Sequence, residues 1–237
     1  MELLEAATAD LTEECEQILI AGANPNFKYH DGWTALHIAA SNDHIGTCEI
    51  LLKYKANVNA LEEDGWTALH MAACNDHSDI CEILLKYNAN VDAVSKNGWT
   101  ALHLAARYNH TGICEILLKY NANLNAVTQN GRAALHMAAR NDYSDTCEIL
   151  LKNNANVNAV EENGWTALHM AARNDHSGTC KILLKYNGDV NAVTHNGWTA
   201  LHMVARYDHT STCEILLKYN AICSVVKVSF RHGPLTL

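Results

Sequence analysis

The sequence predicts an all-α solenoid of stacked helix-turn-helix units. Three observations predict it. Trp33, Trp66, Trp99, Trp165 and Trp198 are spaced by 33 residues, or once by 66, with Arg132 in the missing place. The residues around them repeat in the same register: Gly65 and Gly98 precede the slot, His70 and His103 follow it by four, and Cys81 and Cys114 come eleven after the His. Each period also holds two short runs with helical apolar spacing. A sustained period of this length means supersecondary units stacked in one dimension. Helices of two to three turns do not persist alone in water, so each unit must bury its inner face on a neighbour.

The elements follow in order. Leu3, Ala6, Ala7, Cys15, Ile18 and Leu19 are in phase with Leu36, Ala39, Ala40, Cys48, Leu51 and Leu52. Residues 1–30 lack the turn element and carry Glu5, Asp10, Glu13, Glu14 and Glu16, so they read as an N-terminal capping unit with a polar outer surface. Six fuller units are expected at 31–63, 64–96, 97–129, 130–162, 163–195 and 196–221. In the second of these, Asp64-Gly65 makes a turn and Thr67 caps a helix from Ala68 to Cys74. Asn75-Asp76 breaks that helix, since both types tolerate the left-handed conformation. Ile80, Cys81, Leu84 and Leu85 mark a second helix from Ser78 to Tyr87, with Glu82 and Lys86 paired on its outer side. Asn88 takes the left-handed C-cap, where the capping unit has Gly22.

Two units depart from the pattern. In 130–162, Arg132-Ala133-Ala134 stands where others read Trp-Thr-Ala, and the missing Thr cap predicts a weak point over residues 130–145. In 196–221, Val204 replaces a small Ala of the first helix. The pattern fails after Ala221. Residues 222–237 read as a degenerate C-terminal cap, packing Val225, Val226, Val228 and Phe230, or as a tail.

Composition narrows the function classes. The net charge of −9 argues against nucleic acid as a partner, because phosphate neutralisation needs clustered Lys and Arg. No stretch of 18 apolar residues suggests a membrane span, and the acidic N-terminus does not read as a secretory signal. Equivalent cysteines of neighbouring units would lie about 8–10 Å apart, too far for a disulfide. They read as free thiols used as small core hydrophobes, which places the chain in a reducing, cytoplasmic or nuclear compartment.

The run G-W-T-A-L-H-M-A-A, followed by N-D-H, I-L-L-K and A-N-V-N-A, resembles the ankyrin repeat, and the likeness covers residues 2–221. The family's Pro is replaced by Ala35, Ala68 and their equivalents, its first Gly by Asp43, Asp76, Asn109, Asp142, Asp175 and Asp208, and its second by Asn88, Asn121, Asn154, Asn187 and Asn220. The last two exchanges keep residues that tolerate positive φ. The resemblance implies an ankyrin-repeat solenoid whose helix pairs are joined by β-hairpin-like loops. It further implies a non-catalytic scaffold, a monomer without cofactor, that binds a protein or peptide through a concave groove. The alternative is a substrate-recognition adaptor or host-directed effector, such as a ubiquitin-ligase adaptor, in which the repeats select the target. Asn59, Asn125, Asn158 and Asn191 match a hairpin Asn that is hydroxylated in some members, and Leu235-Thr236-Leu237 fits a loose PDZ-ligand pattern.

Candidate sites separate into columns. The His column lies too widely spaced for one metal ion; by resemblance each His bonds its own Thr and the next unit's backbone. The i,i+4 pairs His44/Cys48, His77/Cys81, His110/Cys114, His176/Cys180 and His209/Cys213 offer two ligands where structural zinc needs four. No phosphate loop or nucleophile motif is present, so no enzyme is expected. Cys74 is an unusual thiol in a phase otherwise held by Ser41 and Arg residues. By resemblance the Trp slot and the end of the first helix face the groove. Partner-binding residues are therefore expected at Trp66, Trp99, Trp165 and Trp198, at Arg107, Arg132, Arg140, Arg173 and Arg206, and at Tyr108 and Tyr207. The finger tips are expected to be acidic, through Glu62, Glu63 and Asp64 at one end and Glu161 and Glu162 further on. That combination suits a partner with acidic and apolar groups.

Overall fold

A Thr before each Ala-Leu-His run starts the first helix of every regular unit. The computed structural model describes residues 2–222. In it, Thr34, Thr67, Thr100, Thr166 and Thr199 hold the N-cap position in extended backbone. The His70 N–H donates to the Thr67 hydroxyl at 3.4 Å, and the Thr67 N–H donates to His70 Nδ1 at 3.1 Å. Two donors of the first turn are thus satisfied locally.

The described residues divide into two compact units, with the boundary between Gln129 and Asn130. In the first, α1 (Glu2–Thr8), α3 (Ala35–Ser41), α5 (Ala68–Cys74) and α7 (Ala101–Tyr108) pack side by side in one row. A second row holds α2 (Thr12–Ile20), α4 (Ile45–Lys53), α6 (Ser78–Lys86) and α8 (Thr111–Lys119). The second unit repeats this with α9 (Ala134–Arg140), α11 (Ala167–Arg173) and α13 (Ala200–Tyr207) in one row. Its other row is α10 (Ser144–Lys152), α12 (Ser177–Lys185) and α14 (Thr210–Lys218). The helix expected to reach Tyr87 ends at Lys86, because Tyr87 is already the C-cap and Asn88 turns left-handed at φ 63°.

Small residues set the spacing. Ala39, Ala40, Ala72, Ala73, Ala105 and Ala106 are wholly buried where α3, α5 and α7 meet, and Leu51, Leu84 and Leu117 fill the second row. The eight described cysteines are free, and six of them lie in this core. Burial pushes the thiols of Cys48, Cys81, Cys114 and Cys180 up to about 12, so they remain protonated and act as small apolar groups.

No strand occurs among the described residues. The fingers between helix pairs are turns, each tied to the preceding finger by a single backbone bond. Glu63 N donates to Asp31 O at 2.9 Å and Lys96 N to Asp64 O at 2.8 Å; in the second unit Glu162 N donates to Asn130 O at 3.1 Å. The tie forces neighbouring fingers together. A Cβ on Gly98, which sits at φ 77°, would meet Gln129 N at 3.0 Å, so both the positive φ and the close approach require glycine there.

The Asp and Asn that replace the family's glycines take the conformations expected of them, for example Asp76 at φ 63° and Asn121 at φ 62°. Lys55 stands in the same place as Asn88 and is also left-handed, at φ 65°. In the irregular unit, α9 starts behind Ala133. Its N–H still donates to His136 Nδ1 at 3.1 Å, but the His136 N–H reaches only the Ala133 carbonyl, at 3.0 Å. The expected C-terminal cap lies, apart from Ile222, outside the described residues. Among those residues no helix is long and apolar enough to cross a membrane.

Candidate functional site

The first helices carry their variable residues at the C-terminal end, eight positions after the Trp slot. In the first unit, Arg107 stands one residue before the end of α7, beside Tyr108, and folds back along the helix. Its guanidinium lies 5.2 Å from the centre of the Trp99 ring and 5.6 Å from that of Tyr108. In the second unit Arg173 lies over Trp165 at 5.4 Å, and Arg206 over Trp198 at 5.4 Å and Tyr207 at 6.0 Å. Such contacts are worth about 0.5–1 kcal/mol at exposed sites. The indoles are half-buried and the guanidinium groups exposed, so each Trp both packs against its own motif and fixes a cation above it. The ring of Trp165 also lies 6.3 Å from that of His169.

Trp66 has no Arg above it, because Cys74 occupies that phase. The Cys74 thiol is half-buried and bonds to Tyr108 of the following repeat. Burial pushes its pKa up, against the opposing effects of the Arg107 charge and the Tyr108 hydrogen bond. It is therefore a poor thiolate.

Arg132 fills the Trp slot of the irregular unit. Its Nε lies 3.5 Å from Glu161 Oε2. Here the structure corrects one expectation: Glu161 is not an exposed finger tip. Its side chain is only 3% accessible and accepts the Asn163 N–H at 2.8 Å. Glu62 turns inward likewise and accepts the Trp66 N–H at 2.7 Å. Both occupy the finger position held by Ser95 and Thr194, whose hydroxyls accept the N–H of Trp99 and Trp198 at 3.1 Å. The acid of the tips is left to Glu63, Asp64 and Glu162, which are exposed.

Two recesses open along this face of the second unit. One of about 520 Å³ is lined by Arg132, Arg140, Glu161, Trp165 and Arg173, together with Asn163, Asn174, Asn196 and Met170. The other, of about 230 Å³, lies between Arg173 and Arg206 and is floored by Trp165, Trp198 and Met203. Arg173, Trp165 and Asn196 line both. The second unit thus brings Arg132, Arg140, Trp165, Arg173, Trp198, Arg206 and Tyr207 onto one continuous face, and the first brings together Trp99, Arg107 and Tyr108.

The titratable columns have other partners. His70 Nδ1 accepts from the Thr67 N–H and lies 2.9 Å from the Thr67 hydroxyl. That fixes the tautomer, so Nε2–H donates to the Trp99 carbonyl at 3.0 Å. His37 ties to Trp66 and His169 to Trp198 in the same way. Thr and His side by side could suggest a nucleophile and its base, but both side chains are buried away from solvent. Burial lowers the pKa of His37, His70, His136 and His169 below the ordinary value.

The second His column is also structural. His44, His77 and His110 donate through Nδ1 to the carbonyls of Ala7, Ala40 and Ala73 at 2.8–3.0 Å, each in the preceding repeat. Among the described residues no group of three His, Cys, Asp or Glu side chains could hold a metal ion.

One ladder lies outside the sequence expectations. Asn59 Oδ1 accepts the Asn90 N–H at 2.7 Å, Asp92 Oδ1 accepts that of Asn123 at 2.8 Å, and Asn158 Oδ1 accepts that of Asp189 at 2.7 Å. These side chains carry hydrogen bonds from repeat to repeat. Their recurrence as Asn or Asp one period apart was the available signal.

The sequence matches the family described as ankyrin repeats (3 copies), over residues 3–95, 88–161 and 153–227. A comparison with curated proteins finds no match.

Proposed function

The chain belongs to the ankyrin-repeat family, and we propose that it binds a protein or peptide, without catalysis, through the face that the first helices and the finger bases form in each unit. The observation that carries this reading is the repeated Arg-over-Trp pair. Arg and Trp are the commonest hot-spot residues of protein interfaces. Here the cation is held in place before binding, so less side-chain entropy is lost when a partner docks. The ankyrin fold is consistent with such a scaffold, and its buried Thr–His pairs leave no accessible nucleophile in that column. We read the chain as a monomer, and its free thiols support a reducing compartment.

The test is capture of partners by the wild-type chain and by the variant Arg107→Glu/Arg140→Glu/Arg173→Glu, once circular dichroism has established that both fold. A partner captured only by the wild type supports binding at this face. A partner retained by both moves the site to the finger tips, the second helices or the C-terminal segment.

A further inference from the structure

The second unit carries three arginines at the same place on three consecutively packed helices: Arg140 closes α9, Arg173 closes α11 and Arg206 stands one residue before the end of α13. One recess lies between Arg140 and Arg173 and the next between Arg173 and Arg206, so cations and openings alternate along the face. The larger recess faces three guanidinium groups against the single carboxylate of Glu161. Two positive charges are left over at a site of a chain whose net charge is −9.

The face already binds a carboxylate of its own. Glu161 reaches Arg132 there, which is the chemistry a ligand would repeat at the neighbouring arginines. Arg173 and Arg206 lie over indole rings. A guanidinium placed over a ring, which accepts no N–H bond in its plane, keeps N–H donors for a planar carboxylate.

Spacing narrows the ligand. Packed helices stand about 8–10 Å apart, which sets the pitch of the arginine row. A flat β-strand returns a side chain to the same side every second residue, after about 6.8 Å. A polyproline II helix returns it every third residue, after about 9.3 Å. Resting on the reading of this face as a peptide-binding surface, we propose that its occupant in the second unit is an acidic peptide in polyproline II conformation. Carboxylates at every third residue meet Arg140, Arg173 and Arg206, and the residues between them enter the two recesses.

The experiment measures fluorescence anisotropy on the full chain with two labelled nonapeptides of identical composition. One is three consecutive Glu-Pro-Ala triplets, and the other has its three Glu residues contiguous. The expected result is binding of the first, about tenfold weaker binding of the second, and about tenfold weakening of the first by Arg173→Gln, with steep salt dependence. Equal affinity for both peptides, or an unchanged affinity in Arg173→Gln, overturns the proposal. So does failure of both peptides to bind. In those cases the charge-reversal capture experiment still decides whether this face binds proteins at all, so the two readings fail separately.

Discussion

Arg132 Nε stands 3.5 Å from Glu161 Oε2 at the two ends of one repeat, with the carboxylate almost wholly buried. Elsewhere in the second unit the same two places hold Trp165 and Thr194, whose Oγ accepts the Trp198 N–H. The irregular repeat therefore differs at both ends of one contact. An aromatic ring beside a hydroxyl has become a cation beside a carboxylate.

Removing one partner of a buried pair leaves the other charge without compensation. Arg132→Ala alone is expected to destabilise the second unit by about 1–3 kcal/mol. The pair Arg132→Trp and Glu161→Thr, which restores the regular pattern, is expected to recover stability to wild-type level or above. Urea unfolding of Arg132→Trp, Glu161→Thr and the double variant gives the coupling as a mutant cycle. Additive effects would mean that the two groups do not stabilise each other.

Lys55 occupies a left-handed position at φ 65° where the repeats that follow it use Asn. Its N–H bonds to Leu52 O at 3.0 Å and the Ala56 N–H to Leu51 O at 2.9 Å, so the turn that ends α4 is a closed C-terminal cap. A long side chain in this conformation carries a steric cost that Asn reduces. Lys55→Asn is expected to raise stability by about 0.5–1 kcal/mol. A lower denaturation midpoint in that variant would contradict this.

Ala133 leaves the His136 N–H without the hydroxyl acceptor that His70, His103, His169 and His202 have. Ala133→Thr is expected to add about 1 kcal/mol. It is also expected to slow amide exchange over residues 130–145 more than elsewhere. If that segment already exchanges as slowly as residues 163–178 in the wild type, the weak point does not exist.

The buried imidazoles set a pH dependence. Desolvation lowers the pKa of His37, His70, His136 and His169 from the ordinary 6.5, outweighing the hydrogen bonds to backbone carbonyls. The unfolded chain then binds more protons than the native one as pH falls below that value. Stability is full above 6.5 and declines as pH drops through the window between 6.5 and the lowered native values. The urea midpoint at pH about 5.5 is expected to lie below that at pH about 7.5. A midpoint that stays constant or rises on acidification would show that these rings are not held neutral.

The period of 33 determined the helix pairs, because a pattern repeated in phase leaves one way to bury every inner face. It placed α5 at its observed ends through the Thr67 cap, and it marked the left-handed turns through Asp76 and Asn88. The free Cys column followed from repeat geometry as well. The tertiary structure alone decided where polar side chains point. Glu161 and Glu162 are adjacent acids with the same sequence signature, yet one is buried beside Arg132 and the other is exposed. That difference depends on which side of a finger faces its neighbour. The laying of Arg173 over Trp165 and the ladder from Asn59 to Asn90 are of the same kind. Each joins groups separated by a helix or by a whole repeat, and such contacts exist only once the chain has folded back on itself.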